Sequence, residues 1–197
     1  MLSWVRTGLA AAALSLPVSL SALVGCAPLE ERVMVQAKEY AERARDAYIH
    51  ANEATMVGDE VAIRYFDEAI KLDTAWIDLV PCASAYWNRA QAYQGKFVFK
   101  AGCAARDGAQ ITFDDLERAV VDLQSSLKQN PSQPDCYAQL GFNYTLLSKF
   151  DDARKNYQEA LNLLNKGARN REILFSADRV KILLDALPEK KQAKDFY

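Results

Sequence analysis

Apolar residues recur along this chain at three- and four-residue steps, with polar residues between them, which is the signature of helices that each bury one face. The clearest case runs from Asp135 to Gly167. Tyr137, Leu140, Gly141 and Tyr144 share one helical face, and Ala153, Tyr157, Ala160 and Leu161 share another, with a tight turn at Ser148-Lys149 between them. Upstream, residues 29–56 read as one long helix with a stripe of Ala44, Ala47, Tyr48 and Ala51. Gly58-Asp59 makes a turn, and Val61 to Leu72 forms a partner helix. Downstream, Gly167 ends a helix. Residues 170–187 then make a further amphipathic helix on Ile173, Leu174, Ala177, Val180, Leu184 and Leu187, closed by Pro188.

The order of large and small residues in the 135–167 stretch resembles the tetratricopeptide repeat, a helix–turn–helix unit of about 34 residues. Tyr137, Leu140, Gly141 and Tyr144 stand at the first-helix packing positions, and Ala153, Tyr157 and Ala160 at those of the second. Ser148 replaces the usual turn glycine, and Asn165 the closing proline. The small residues sit where two helix backbones come close. Ala62, Phe66 and Ala69 repeat the second-helix pattern in a first, degenerate unit. In the middle unit Tyr86, Ala90 and Tyr93 stand in the first helix, and Leu116, Ala119 and Leu123 in the second. The resemblance implies an all-α fold: a short solenoid of about three helical hairpins plus a C-terminal capping helix.

The register locates two additions. Ala119 to Ala153 is one repeat of 34, whereas Tyr86 to Tyr137 is 51, so seventeen residues are inserted within 95–112. The segment AWIDLVPC carries about six more relative to the repeat. Strict alternation in Lys96-Phe97-Val98-Phe99-Lys100 predicts a short strand, which 109–113 could pair as a hairpin. The insertion is therefore a loop or hairpin that either packs down on the repeats or forms a lid over a partner. Thr112 with Asp115 resembles a capping box that restarts the next helix.

Residues 1–25 have another character. Arg6 is followed by an apolar run from Thr7 to Val24, and Leu23-Val24-Gly25-Cys26 resembles the bacterial lipobox. An ordinary secretory signal and an uncleaved anchor are the rival readings. The resemblance implies a signal peptide over 1–25, lipidation of Cys26, a repeat domain over 26–187 and a charged tail over 188–197. It also implies a place in the cell envelope, at the outer membrane and facing the periplasm. The 197 residues are 50% hydrophobic and 25% charged, with a net charge of −2, so no nucleic-acid-binding surface is expected.

Export would favour disulfides. Cys82 and Cys103 lie one in each addition, which suggests a staple between them; Cys82–Cys136 is the rival pairing, and no bridge at all is the third alternative. No catalytic, metal or cofactor constellation is legible. His50 is the single histidine, and Asp114-Asp115 and Asp151-Asp152 suit helix first turns. The reading is thus a non-enzymatic scaffold or assembly lipoprotein, pilotin-like, with a protein partner in the envelope. The alternative is a ligand-handling accessory lipoprotein of a solute transporter; oligomeric state stays open. By resemblance, extended peptides would lie along first-helix positions Arg45, Tyr48 and Asn52; then Ser84, Trp87, Gln91 and Gln94; then Asp135, Ala138, Phe142 and Thr145.

Overall fold

The computed structural model describes residues 31–58, 60–168 and 175–188. Seven helices follow one another among them: α1 (Glu31–Met56), α2 (Val61–Leu79), α3 (Ala83–Asp107), α4 (Asp114–Gln129), α5 (Pro134–Leu146), α6 (Phe150–Asn165) and α7 (Ala177–Asp185). The described residues contain no strand. The signal peptide, Cys26, the charged tail beyond Pro188 and residues 170–174 of the expected 170–187 helix lie outside the described residues; the α-helix there spans only Ala177–Asp185, with Ser176 as its N-cap.

Two compact units divide the chain, one ending at Pro131 and one beginning at Ser132. In the first, α1 pairs with α2 and α3 with α4. Ala44, Ala47 and Ala51 on α1 meet Ala62, Phe66 and Ala69 on α2, so small side chains let the axes approach while Phe66 fills the gap. Gly95 of α3 extends that logic: a Cβ there would stand 2.5 Å from the Phe66 ring.

Both additions are largely helical. α2 continues two turns past Leu72, and Trp76, Ile77, Val80 and Cys82 form a second cluster with Ala37 of α1 and Ala85 of α3. The extra residues of AWIDLVPC thus give the opening turns of α1 something apolar to bury.

The seventeen-residue insertion chiefly lengthens a helix: α3 runs 25 residues where its counterpart α5 runs 13. The expected strand over 96–100 and the hairpin with 109–113 are not formed. On a helix, residues two apart lie about 200° around the axis, so alternation also arises when opposite faces are both covered. Phe99 packs into the α1–α2 cluster, while Phe97 lies against Phe113 at 5.6 Å between ring centroids. Lys96 pairs with Asp67 and Lys100 with Asp115, fixing α3 to α2 and α4. Gly108 ends α3 at φ 68°, the left-handed conformation that glycine adopts without strain. Thr112 does not cap α4; Phe113 occupies that position without a side-chain cap, and Asp114, Asp115 and Glu117 supply negative charge to the first turn.

The same continuity removes the proposed staple. Cys82 precedes the first turn of α3 and Cys103 lies just before its last, about 30 Å apart at 1.5 Å per residue, whereas a disulfide needs Cα atoms within about 7 Å. Cys82, Cys103 and Cys136 are all thiols.

In the second unit α5 pairs with α6, and α7 packs on α6 as a cap. Ala138, Ala153, Tyr157 and Ala160 form the core with Val180 and Leu187 from the C-terminal segment. Ser148 takes φ 58° in the α5–α6 turn, a left-handed residue where glycine would be unstrained.

Candidate functional site

In the first unit one cleft gathers part of the first-helix face. α1 contributes Ala44, Arg45 and Tyr48, α3 contributes Trp87, Asn88 and Gln91, and α2 contributes Asp73. Its volume is about 20 Å³, room for one small polar group. The Tyr48 hydroxyl donates to Gln91 Oε1 at 3.5 Å, and its ring meets Phe66 edge-on at 6.1 Å. Tyr48 is thereby held from both ends.

α3 is fixed from its other side by a polar network. Arg89 donates through Nε and Nη2 to both oxygens of Asp122, at 2.8 and 2.7 Å, and through Nη1 to Thr74 Oγ1 at 3.0 Å. Thr74 in turn donates to the Ile70 carbonyl oxygen at 2.7 Å. One guanidinium therefore ties α3 to both α2 and α4 in a fork geometry that lysine could not reproduce. Its hydrogen bond to Asp122 holds the Arg89 pKa above the ordinary value. Trp87 and Arg89 are two positions apart, about 200° around the axis, which places them on opposite sides of α3. The network consequently sets the rotation that presents Trp87 and Gln91 to α1.

Asp73 is 2% exposed, and burial pushes its carboxyl well above the usual carboxylate range; Arg89 opposes this and Asp122 reinforces it. Between its unfolded value, about 3.9, and the higher folded value, the folded chain binds more protons than the unfolded one, so stability falls as pH rises through that window. Asp73→Asn is expected to raise the urea midpoint at pH 7, and the gain should shrink as pH approaches 4. Equal gain at both pH values in paired melts would remove the ionisation as its cause.

The structure brings Arg45, Tyr48, Trp87 and Gln91 together at the cleft. Asn52 and Gln94 are half-buried and lie outside it, and Ser84 is buried. In the second unit Ala138 is fully enclosed, Asp135 is buried, and Phe142 packs against the core. Thr145 donates back to the Gly141 carbonyl oxygen at 2.8 Å. Sequence reasoning passed over Asp73 and Asp122. The signal was present: each interrupts an apolar stripe, Asp73 among Ala69, Leu72 and Trp76, and Asp122 between Ala119 and Leu123.

His50 is exposed beside Glu53 at 3.2 Å. Among the described residues no group of His, Cys, Asp and Glu could hold a metal ion, and no helix is long and apolar enough to cross a membrane.

The chain is similar to the crystal structure of the Sgt2 TPR domain from Aspergillus fumigatus, at 18% identity and a TM-score of 0.45, over 69% of this chain and 75% of that one. No protein-family model and no curated protein matches it. The tetratricopeptide-like character of this all-α fold rests on its own packing: paired antiparallel helices with Gly141 against Tyr157, and Ala62, Phe66 and Ala69 turned onto α1.

Proposed function

We propose that the chain is a protein-interaction scaffold, carried by lipidated Cys26 on the outer membrane and facing the periplasm, where it serves assembly of an envelope complex in a pilotin-like role. The observation that supports a binding role is the cleft at which Arg45 and Tyr48 of one hairpin meet Trp87 and Gln91 of the next. Half-buried aromatic and arginine side chains are the usual composition of an interface hot spot. Cys26 stands five residues before Glu31, so an extended link would span at most about 18 Å. A partner captured at the cleft would be held close to the bilayer. The roomier hollow, about 500 Å³ between α3 and α4, is open and lined by Arg89, Asp114, Glu117 and Arg118, which gives a small apolar solute no enclosure.

Two measurements test this reading. Cys26→Ser is expected to move the protein from the membrane fraction to the soluble fraction or to leave an uncut precursor; unchanged processing and fractionation would end the anchor model. Trp87→Ala is expected to lower recovery of the cross-linked partner from detergent-solubilised membranes by about tenfold, as for a hot-spot aromatic, with helical circular dichroism unchanged. Undiminished recovery would take the cleft out of the interface.

A further inference from the structure

Buried polar groups in folded proteins nearly always have partners, and each exception asks for an explanation. Here four exceptions fall on the residues that line one small cleft: Arg45 Nε, Trp87 Nε1, Gln91 Nε2 and Asp73 Oδ1 are all buried with no hydrogen-bond partner. Asp73 and Gln91 are 2% and 8% exposed, so solvent does not satisfy them. Three of the four atoms are donors, and the fourth is a carboxyl oxygen.

We propose that this cleft is a binding site for a side-chain carboxamide, the tip of a glutamine or asparagine projecting from a protein partner. The inference rests on reading the cleft as a partner-binding surface. Size decides first. About 20 Å³ admits one functional group and excludes a ring or a branched apolar side chain, so the rest of the partner stays outside. A backbone amide, flanked by two Cα atoms, is wider than a chain-end group.

Hydrogen-bond inventory decides next. A carboxamide oxygen accepts from two of the Arg45, Trp87 and Gln91 donors, while its NH₂ gives a donor to Asp73. A carboxylate offers no donor to Asp73 and brings like charge beside it. An ammonium group suits Asp73 but leaves three donors unmet and meets Arg45. Charge agrees: Arg45 and Asp73 sum to zero, and Arg89 and Asp122 already neutralise each other, so a neutral polar group is the best match.

The test uses the full-length chain in detergent with ¹⁵N-labelled tryptophan. The probe is a pentapeptide of alanine with central glutamine, acetylated and N-methylamidated so that it carries no other primary amide. Its counterparts carry leucine, glutamate or lysine at the centre. The expected result is a saturable shift of the Trp87 indole N–H with the glutamine peptide, at least about tenfold weaker with the other three. The Trp76 indole, buried in another cluster, should stay in place and so report an intact fold. Trp87→Phe keeps the ring and removes the donor. It should weaken binding about tenfold, read from the peptide's own ¹⁵N-labelled glutamine NH₂ signal.

No shift with the glutamine peptide up to about 10 mM overturns the proposal and leaves a water pocket. An equal response to the leucine peptide also overturns it, because the backbone is then what binds. Either result, with partner recovery still lost in Trp87→Ala, would leave the scaffold reading intact. Specific glutamine binding with undiminished recovery in that variant would instead sustain the carboxamide site and remove it from the scaffold interface.

Discussion

Gly141→Ala is expected to destabilise the second unit, although alanine is the better helix former by about 1 kcal/mol. A Cβ at position 141 would lie 2.6–2.9 Å from three atoms of the Tyr157 ring. That ring is fully buried, held among Ala138, Ala153 and Ala160 with Val180 beside it, and cannot swing aside. Burial also pushes the Tyr157 phenol up to about 12. Overpacking of this kind costs about 1–3 kcal/mol, enough to outweigh the propensity gain. Gly102→Ala is the control, since a Cβ there meets nothing within 4 Å in the interior of α3. It should stabilise by up to about 1 kcal/mol. Urea denaturation of the two variants should move the midpoint in opposite directions; two shifts of the same sign would refute close packing at Gly141 as the controlling term.

The second large effect belongs to Asp122. Asp122→Ala would leave the Arg89 guanidinium, whose side chain is 19% exposed, without its bidentate partner. Breaking a buried ion pair from one side costs about 3–5 kcal/mol. Replacing both partners, as Arg89→Met with Asp122→Leu, should recover most of that loss, because no charge is then stranded. The double variant should still bind the partner less well, since α3 loses the fork that sets Trp87 and Gln91 toward α1. Chemical denaturation of both singles and the double closes the cycle. A double variant as unstable as Asp122→Ala alone would show that packing of these side chains, rather than the stranded charge, carries the energy.

Much of this architecture was legible before any coordinates. The helix pairs, the small-residue positions Gly141, Ala153 and Ala160, and the turns at Gly58, Ser148 and Gly167 follow from patterns within a few residues of each position. A three-to-four-residue rhythm records which face of a helix is covered, and the turn positions take the left-handed conformation that halts a helix. The middle insertion was misread for a related reason. A period of two signals a strand when one face is buried, yet a helix wedged between two neighbours gives the same alternation, and nothing local to residues 96–100 separates the cases.

What the sequence determined by itself is the set of helices, their register and where the extra residues sit, because these depend on interactions between near neighbours in the chain. Only the tertiary structure decided what the extra residues become, which cysteines are too far apart to bond, and which first-helix residues meet. Arg89 finds Asp122 33 residues away and Thr74 15 residues away; Tyr48 finds Gln91 43 residues away. Local pattern tells that Asp73 and Asp122 are buried but not what faces them. A buried polar group is satisfied or stranded by its partner, and here packing chose the partner across three helices.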